Sequence, residues 1–280
     1  MKRFNFFGTA ILAFLLVIIF IPLYNQSKTK TFRSMGTELS ITVDDFFPYL
    51  KIEAAYKKIK SIEALLNRFD PKSELSRINR EAHLKPVEAK EETLNCIAKA
   101  IEVSKLTNGA FDITLSGNYD NIFIDKNKNT VSFKKPGFSI NLDAIGKGFA
   151  VEEAKKLLFN LGAKSAIIDG RSSIAVIGEE RKIGIKNPLY GGVLDFVFLS
   201  SGEALSTSGN YEQGDHIIDP KTGLPARDLI SLTIKGEDAG FLDALSTGIF
   251  VLGEKKGSLL LKKLNMRGTM LLRNGKVLKI

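Results

Sequence analysis

Between Phe6 and Tyr24 the sequence carries no charged residue, and from Ala10 to Pro22 it is almost wholly aliphatic or aromatic. This run constrains the chain more than any other feature. At about 19 residues it matches the length that crosses a hydrocarbon core as a helix. Lys2 and Arg3 precede it, which favours a cytoplasmic leading end and export of the rest of the chain. The exit, Ile21-Pro22-Leu23-Tyr24-Asn25-Gln26, lacks the small residues of a cleavage site, and no cysteine directly follows it for lipid attachment. Residues 1–28 therefore read as an uncleaved signal anchor with a short linker, a single transmembrane helix in the cell membrane. Residues 29–280 are expected to fold on the extracytoplasmic side.

Those residues suffice for one sizeable core, and 44% hydrophobic with 25% charged side chains is a globular composition. Residues 25–30 read as the polar linker. Residues 37–44 alternate as a strand does, and apolar positions 52, 55, 59, 62, 65 and 66 give residues 50–66 a helical period. A second helix is expected over 93–106, stopped by Asn108-Gly109. Strands are expected at 130–133 and 138–142, then a helix over 148–161, then strands at 165–168, 173–177, 182–186 and 194–199. Helices over 241–252 and 255–264 precede a hairpin turned by Asn274-Gly275. Helices and strands come in blocks rather than strict alternation, which predicts an α+β domain.

The net charge of +9 comes from scattered lysines without interleaved aromatics or a nucleic-acid motif, so no nucleic-acid partner is expected. A modest basic excess suits a polyphosphate ligand or an anionic lipid surface. Cys96, the one cysteine, rules out an intrachain disulfide and falls in the apolar register of a helix, a core position. His83 lies in a charged, surface-like stretch.

Three segments hold residue types suited to chemistry. Ser206, Thr207 and Ser208 precede Gly209 and offer hydroxyls and amides to an anion. Asp219-Pro220-Lys221-Thr222-Gly223 reads as a tight turn, and His216 stands just before it. Imidazole exchanges protons nearest neutrality, although an ordinary loop histidine explains the same residues equally well. Asp243 and Thr247, four apart on a helix, present oxygens from one face. Such hard oxygens suit Mg2+, although a dipole-favoured acid and a back-bonded threonine explain them more simply. Residues 141–151 run through Gly146 and Gly148 into a helix, with Lys147 placed for a phosphate. The segment is neither a Walker loop nor a dinucleotide fingerprint.

Taken in order, several segments resemble the ApbE family, the FAD:protein FMN transferases. They are M-G-T at 35–37, S-E-L-S-R-I-N at 73–79, G-A-F-D-I-T at 109–114 and I-G-K-G-F-A-V-E at 145–152. S-T-S-G-N-Y at 206–211, H-I-I-D-P-K-T-G at 216–223 and D-A-L-S-T-G-I-F-V-L-G at 243–253 complete the set. The resemblance implies one ApbE-type (T-fold-like) α+β domain that transfers FMN from FAD to a threonine of an exported or membrane acceptor protein, releasing AMP. It places Met35, Phe69, Ala110, Phe111, Asp112, Asn141, Lys147, His216 and Ile217 along FAD. It sets the carbonyl of Ala144 and the side chains of Asp243 and Thr247 around Mg2+. His216 and Asp243 are the implied catalytic residues, His216 either taking the hydroxyl proton or holding the diphosphate. Phe69 replaces a usual tyrosine, Asn141 an acid, Asp143 a glycine, and Arg171-Ser172-Ser173 a Gly-Gly-Asp or Gly-Gly-Asn run. Hydrolysis of FAD to FMN and AMP, or flavin binding without turnover, are the alternatives.

Overall fold

The computed structural model describes residues 25–211 and 214–280. The expected membrane helix over residues 6–24 lies outside them, and no helix among the described residues is long and apolar enough to cross a membrane. Strands β1 (Asn25–Ser34) and β2 (Thr37–Phe46) pair as an antiparallel hairpin. Residues 25–30 thus belong to a sheet rather than a linker. β1 lies at the sheet edge, and its lysines and hydroxyls are what an edge strand tolerates, so no apolar alternation announced it.

The hairpin opens an eight-stranded sheet that continues through β6 (Ala166–Asp169), β7 (Ser173–Ile177), β10 (Ala204–Gly209), β11 (Leu229–Gly236), β12 (Gly268–Leu272) and β13 (Val277–Lys279). Every pairing in it is antiparallel, as the α+β reading requires. Small side ladders are formed by β3 (Val87–Glu88), β4 (Ile122–Asp125) and β5 (Thr130–Phe133), and by the hairpin of β8 (Arg181–Lys186) and β9 (Val193–Leu199).

Helices α1 (Pro48–Leu66), α4 (Asp143–Asn160) and α5 (Ala239–Lys263) cover one face of the large sheet. Short α2 (Glu74–Glu81) comes after α1, and α3 (Glu91–Leu106) packs on the outer side of α5. Side chains alternate across a strand. Ala175 and Ala204 therefore enter the main core, while Val176 and Leu205 join Leu199 in a second cluster under the β8–β9 hairpin.

Three expectations change. Residues 138–142 form no strand, because the Asn79 side chain satisfies both backbone groups of Ile140, accepting from its amide at 2.7 Å and donating to its carbonyl at 2.9 Å. Helix α4 starts five residues earlier than its glycines implied. The two C-terminal helices are one element, bent at Gly253, whose φ of 74° is open to glycine.

Candidate active site

The site begins where α4 crosses α5. A Cβ on Gly148 would lie 2.3 Å from the Ala239 carbonyl oxygen and 2.5 Å from Asp243 Cβ, so only glycine permits this approach. The approach lets the Gly148 amide donate to Asp243 Oδ2 at 2.9 Å. Ala144 stands one helical turn before Gly148 on α4. One turn along α5, Thr247 donates its hydroxyl to the Asp243 carbonyl at 3.2 Å and lies 3.2 Å from Ser208 Oγ. The Gly148 amide thus orients a carboxylate.

Asp243 is 5% exposed. Burial pushes its carboxyl up, against the pull of the Lys147 charge, the Gly148 amide and the Ser206 and Ser173 hydroxyls. A carboxylate so placed requires a compensating cation to stay ionised. Carbonyl, carboxylate and hydroxyl make an all-oxygen set, and Mg2+ takes few such protein ligands and fills its shell with water and phosphate oxygens. Gly148 donates to Asp243 Oδ2 and Ser206 to Oδ1, with the Ser173 hydroxyl also in reach, so these donors orient the carboxylate. The residues fit the ion.

Ser206 and Ser208 recur at the strand period and face the same way, and Asn210 directly follows the strand. Ser206 Oγ donates to Asp243 Oδ1 at 3.1 Å, and Ser208 Oγ lies 2.7 Å from Ser246 Oγ. Asn210 Oδ1 accepts from the Ile217 amide at 3.2 Å while its Nδ2 donates to the Ala226 carbonyl at 3.0 Å. The stretch expected as a flexible anion loop is therefore strand β10, which ties the carboxylate to the segment bearing His216. The span from Ser206 to Asn210 is about 13 Å.

His216 is exposed, and among the described residues no hydrogen bond joins it to Asp243 or Thr247. Its Nδ1 lies 3.0 Å from the Gly214 carbonyl oxygen. A carbonyl only accepts, so Nδ1 holds the proton there and Nε2 is the basic nitrogen. Ile217, 8% exposed, is buried beside it and accepts from the Ala226 amide at 2.9 Å.

Met35 and Gly36, with φ of 53° and 74°, form the two-residue turn of the β1–β2 hairpin. Glu63 holds this strained turn, accepting from the Met35 amide at 2.7 Å and the Ser34 hydroxyl at 2.8 Å. Met35 and Lys147 line one small cavity together with Val151 and Gly170. Ala110 and Phe111 are buried, and Phe111 packs beside Gly248, next to Thr247. The Asp112 Oδ1 is occupied by the amide and hydroxyl of Thr114, both at 2.7 Å. Asn141 donates its amide to Ile113 at 2.7 Å and accepts from the Asp143 amide at 2.8 Å, capping α4. Asp143 pairs with Arg68 at 2.9 Å, and the Arg68 guanidinium stacks 4.1 Å from the Phe69 ring centroid. Phe69 itself is 74% exposed, on the rim and outside the hydroxyl network. Arg171, at a left-handed φ of 70°, pairs with Glu38. The supporting roles of Glu63, Asn79, Ser206, Ser208 and Asn210 were not foreseen; the two-residue spacing from 206 to 210 was the available signal.

Fold and site together define an antiparallel α+β domain organised around a buried carboxylate in an all-oxygen setting. The chain belongs to the ApbE family, whose model matches residues 35–117 and 116–271. It is 28% identical to the FAD:protein FMN transferase of Haemophilus influenzae, over 91% of this chain and 90% of that one. The crystal structure of the ApbE protein of Thermotoga maritima superposes with a TM-score of 0.84 at 28% identity, covering 91% of this chain and 97% of that one. The flavin transferase ApbE of Vibrio cholerae shares the fold, with a TM-score of 0.80 at 21% identity over 91% and 97% of the two chains.

Proposed function

We propose that this chain is an FAD:protein FMN transferase that uses Mg2+ and attaches FMN to a threonine hydroxyl of an exported or membrane acceptor, from a cell-membrane anchor over residues 6–24. The observation that supports the reading is that Asp243 and Thr247, a turn apart on α5, share one hydroxyl network at the α4–α5 crossing, with Ala144 one turn before Gly148 on α4. Held by these oxygens, Mg2+ would neutralise charge on the diphosphate of FAD. Ser206 and Gly148 orient the Asp243 carboxylate, and Lys147 adds positive charge beside it. His216 Nε2 takes the proton of the attacking hydroxyl. The threonine oxygen bonds to the FMN phosphorus, the bond from that phosphorus to the bridging oxygen breaks, and AMP leaves with the bridging oxygen.

Detergent-solubilised full chain incubated with FAD, Mg2+ and a threonine-bearing acceptor is expected to add one FMN mass to the threonine and release AMP in equal amount. Asp243→Ala is expected to abolish both. AMP release without acceptor would replace transfer by hydrolysis, and FAD left intact would end the catalytic reading. Activity that survives both the substitution and chelation would remove the metal from it.

A further inference from the structure

The β1–β2 hairpin has two ends. Its turn at Met35 belongs to the candidate site, while its open end pairs Asn25 with Phe46. There the surface carries Phe46, Phe47, Tyr49 and Leu50, which are 36%, 55%, 62% and 71% exposed. Phe47 stands at the N-cap of α1 with a φ of 55° and gives no side-chain cap, a position where small polar residues are preferred in water. Lysines border the cluster, with Lys28 Nζ 5.9 Å from the Tyr49 ring centroid and Lys164 Nζ 5.5 Å from that of Phe46. Aromatic and aliphatic side chains rimmed by lysine are the composition of membrane-interface belts. Asn25 is bonded to Tyr24, the last residue of the charge-free run. The patch therefore lies where the chain leaves that run.

We propose that Phe46, Phe47, Tyr49 and Leu50 sit in the headgroup layer of the bilayer from which residues 6–24 emerge, docking the domain with the Met35 turn of the hairpin at the far end. The inference rests on the reading of that run as a membrane anchor. The covalent link holds the patch at the lipid surface, so insertion is intramolecular and even weak apolar contact suffices. The net charge of +9 adds attraction to anionic headgroups. A protein partner would have to compete with a surface that is always present.

The chain contains no tryptophan, so one introduced tryptophan reports its surroundings alone. Tyr49→Trp and Leu50→Trp are made separately in the full chain and reconstituted into phosphatidylcholine–phosphatidylglycerol vesicles with brominated acyl chains. Both are expected to emit at shorter wavelength than in water and to lose most of their intensity relative to unbrominated vesicles. Tyr190→Trp is the control. Tyr190 is 87% exposed in the turn between β8 and β9, whose Lys186 lies over the Tyr211 ring beside Asn210 of the site. This variant is expected to keep its emission.

An alkaline carbonate wash of the same vesicles reports the anchor independently. Protein that survives the wash with water-like emission at both patch positions overturns docking, and blue-shifted emission untouched by bromine shows a protein covering instead. Quenching of Tyr190→Trp as well overturns the orientation. Release in the wash overturns the anchor and docking with it. FMN transfer, assayed in detergent, stands or falls separately from all of these outcomes.

Discussion

The Asp243 carboxylate takes its orientation from the Gly148 amide and from the Ser206 and Ser173 hydroxyls. Gly148 is the strictest of the three. Gly148→Ala would drive a methyl into the Ala239 carbonyl and Asp243 Cβ, forcing the helices apart at a cost of about 1–3 kcal/mol or more. A lowered urea midpoint together with lost FMN transfer is the expected result. For His216→Ala, turnover measured by AMP release is expected to fall by about 10²–10⁴. An unchanged rate would exclude His216 Nε2 as the proton acceptor. The spacing put Asp243 and Thr247 on one helix face, but only the family resemblance favoured them over a dipole-favoured acid and a back-bonded threonine. Ser206 and Ser208 were singled out for an anion, but their place in strand β10 was hidden, because a hydroxyl reads the same in a loop and in a strand. Asn141 was legible only as a departure from an acid; its capping of α4 depends on a backbone path that no local pattern shows.

Helix α5 carries both side-chain oxygens of the site, and its start is fixed by Asp238, which accepts from the Phe241 amide at 2.9 Å and pairs with Lys99. Burial alone would raise the Asp238 carboxyl, but the Lys99 and Phe241 hydrogen bonds and the Lys99 charge together hold it below the ordinary value of 3.8. A depressed folded value stabilises the protein above the unfolded value, and that stability is lost as pH falls through the folded one. Urea midpoints taken from about pH 6 down to about pH 2 are therefore expected to decline, and Asp238→Ala is expected to lose about 1 kcal/mol at neutral pH and flatten this limb. The sequence announced most helices, because their apolar stripes repeat over many residues. It even separated residues 241–252 from 255–264, the two arms that meet at Gly253. Strands β1 and β10 stayed hidden for different reasons. β1 is a polar edge. β10 is rich in serine and threonine because its buried face is polar, holding a carboxylate instead of a core.

At the scale of the whole molecule, ligand binding and folding are linked. On the proposed reading Mg2+ compensates the buried Asp243 charge, so at about a hundred times its dissociation constant it is expected to stabilise the fold by roughly 2.7 kcal/mol. Thermal midpoints with and without chelator measure this, and Asp243→Ala is expected to abolish the difference. The β1–β2 hairpin has a further consequence once the domain stands on lipid. From Thr37 to Phe46 the strand is about 30 Å long, so the hairpin acts as a stilt that fixes the height at which FMN is delivered. A threonine tethered to a lipid by about four residues lies beneath that height, whereas a stalk of about ten extended residues reaches it. Substrate choice then becomes partly a matter of elevation, and stalk length alone sorts proteins that share the same target sequence.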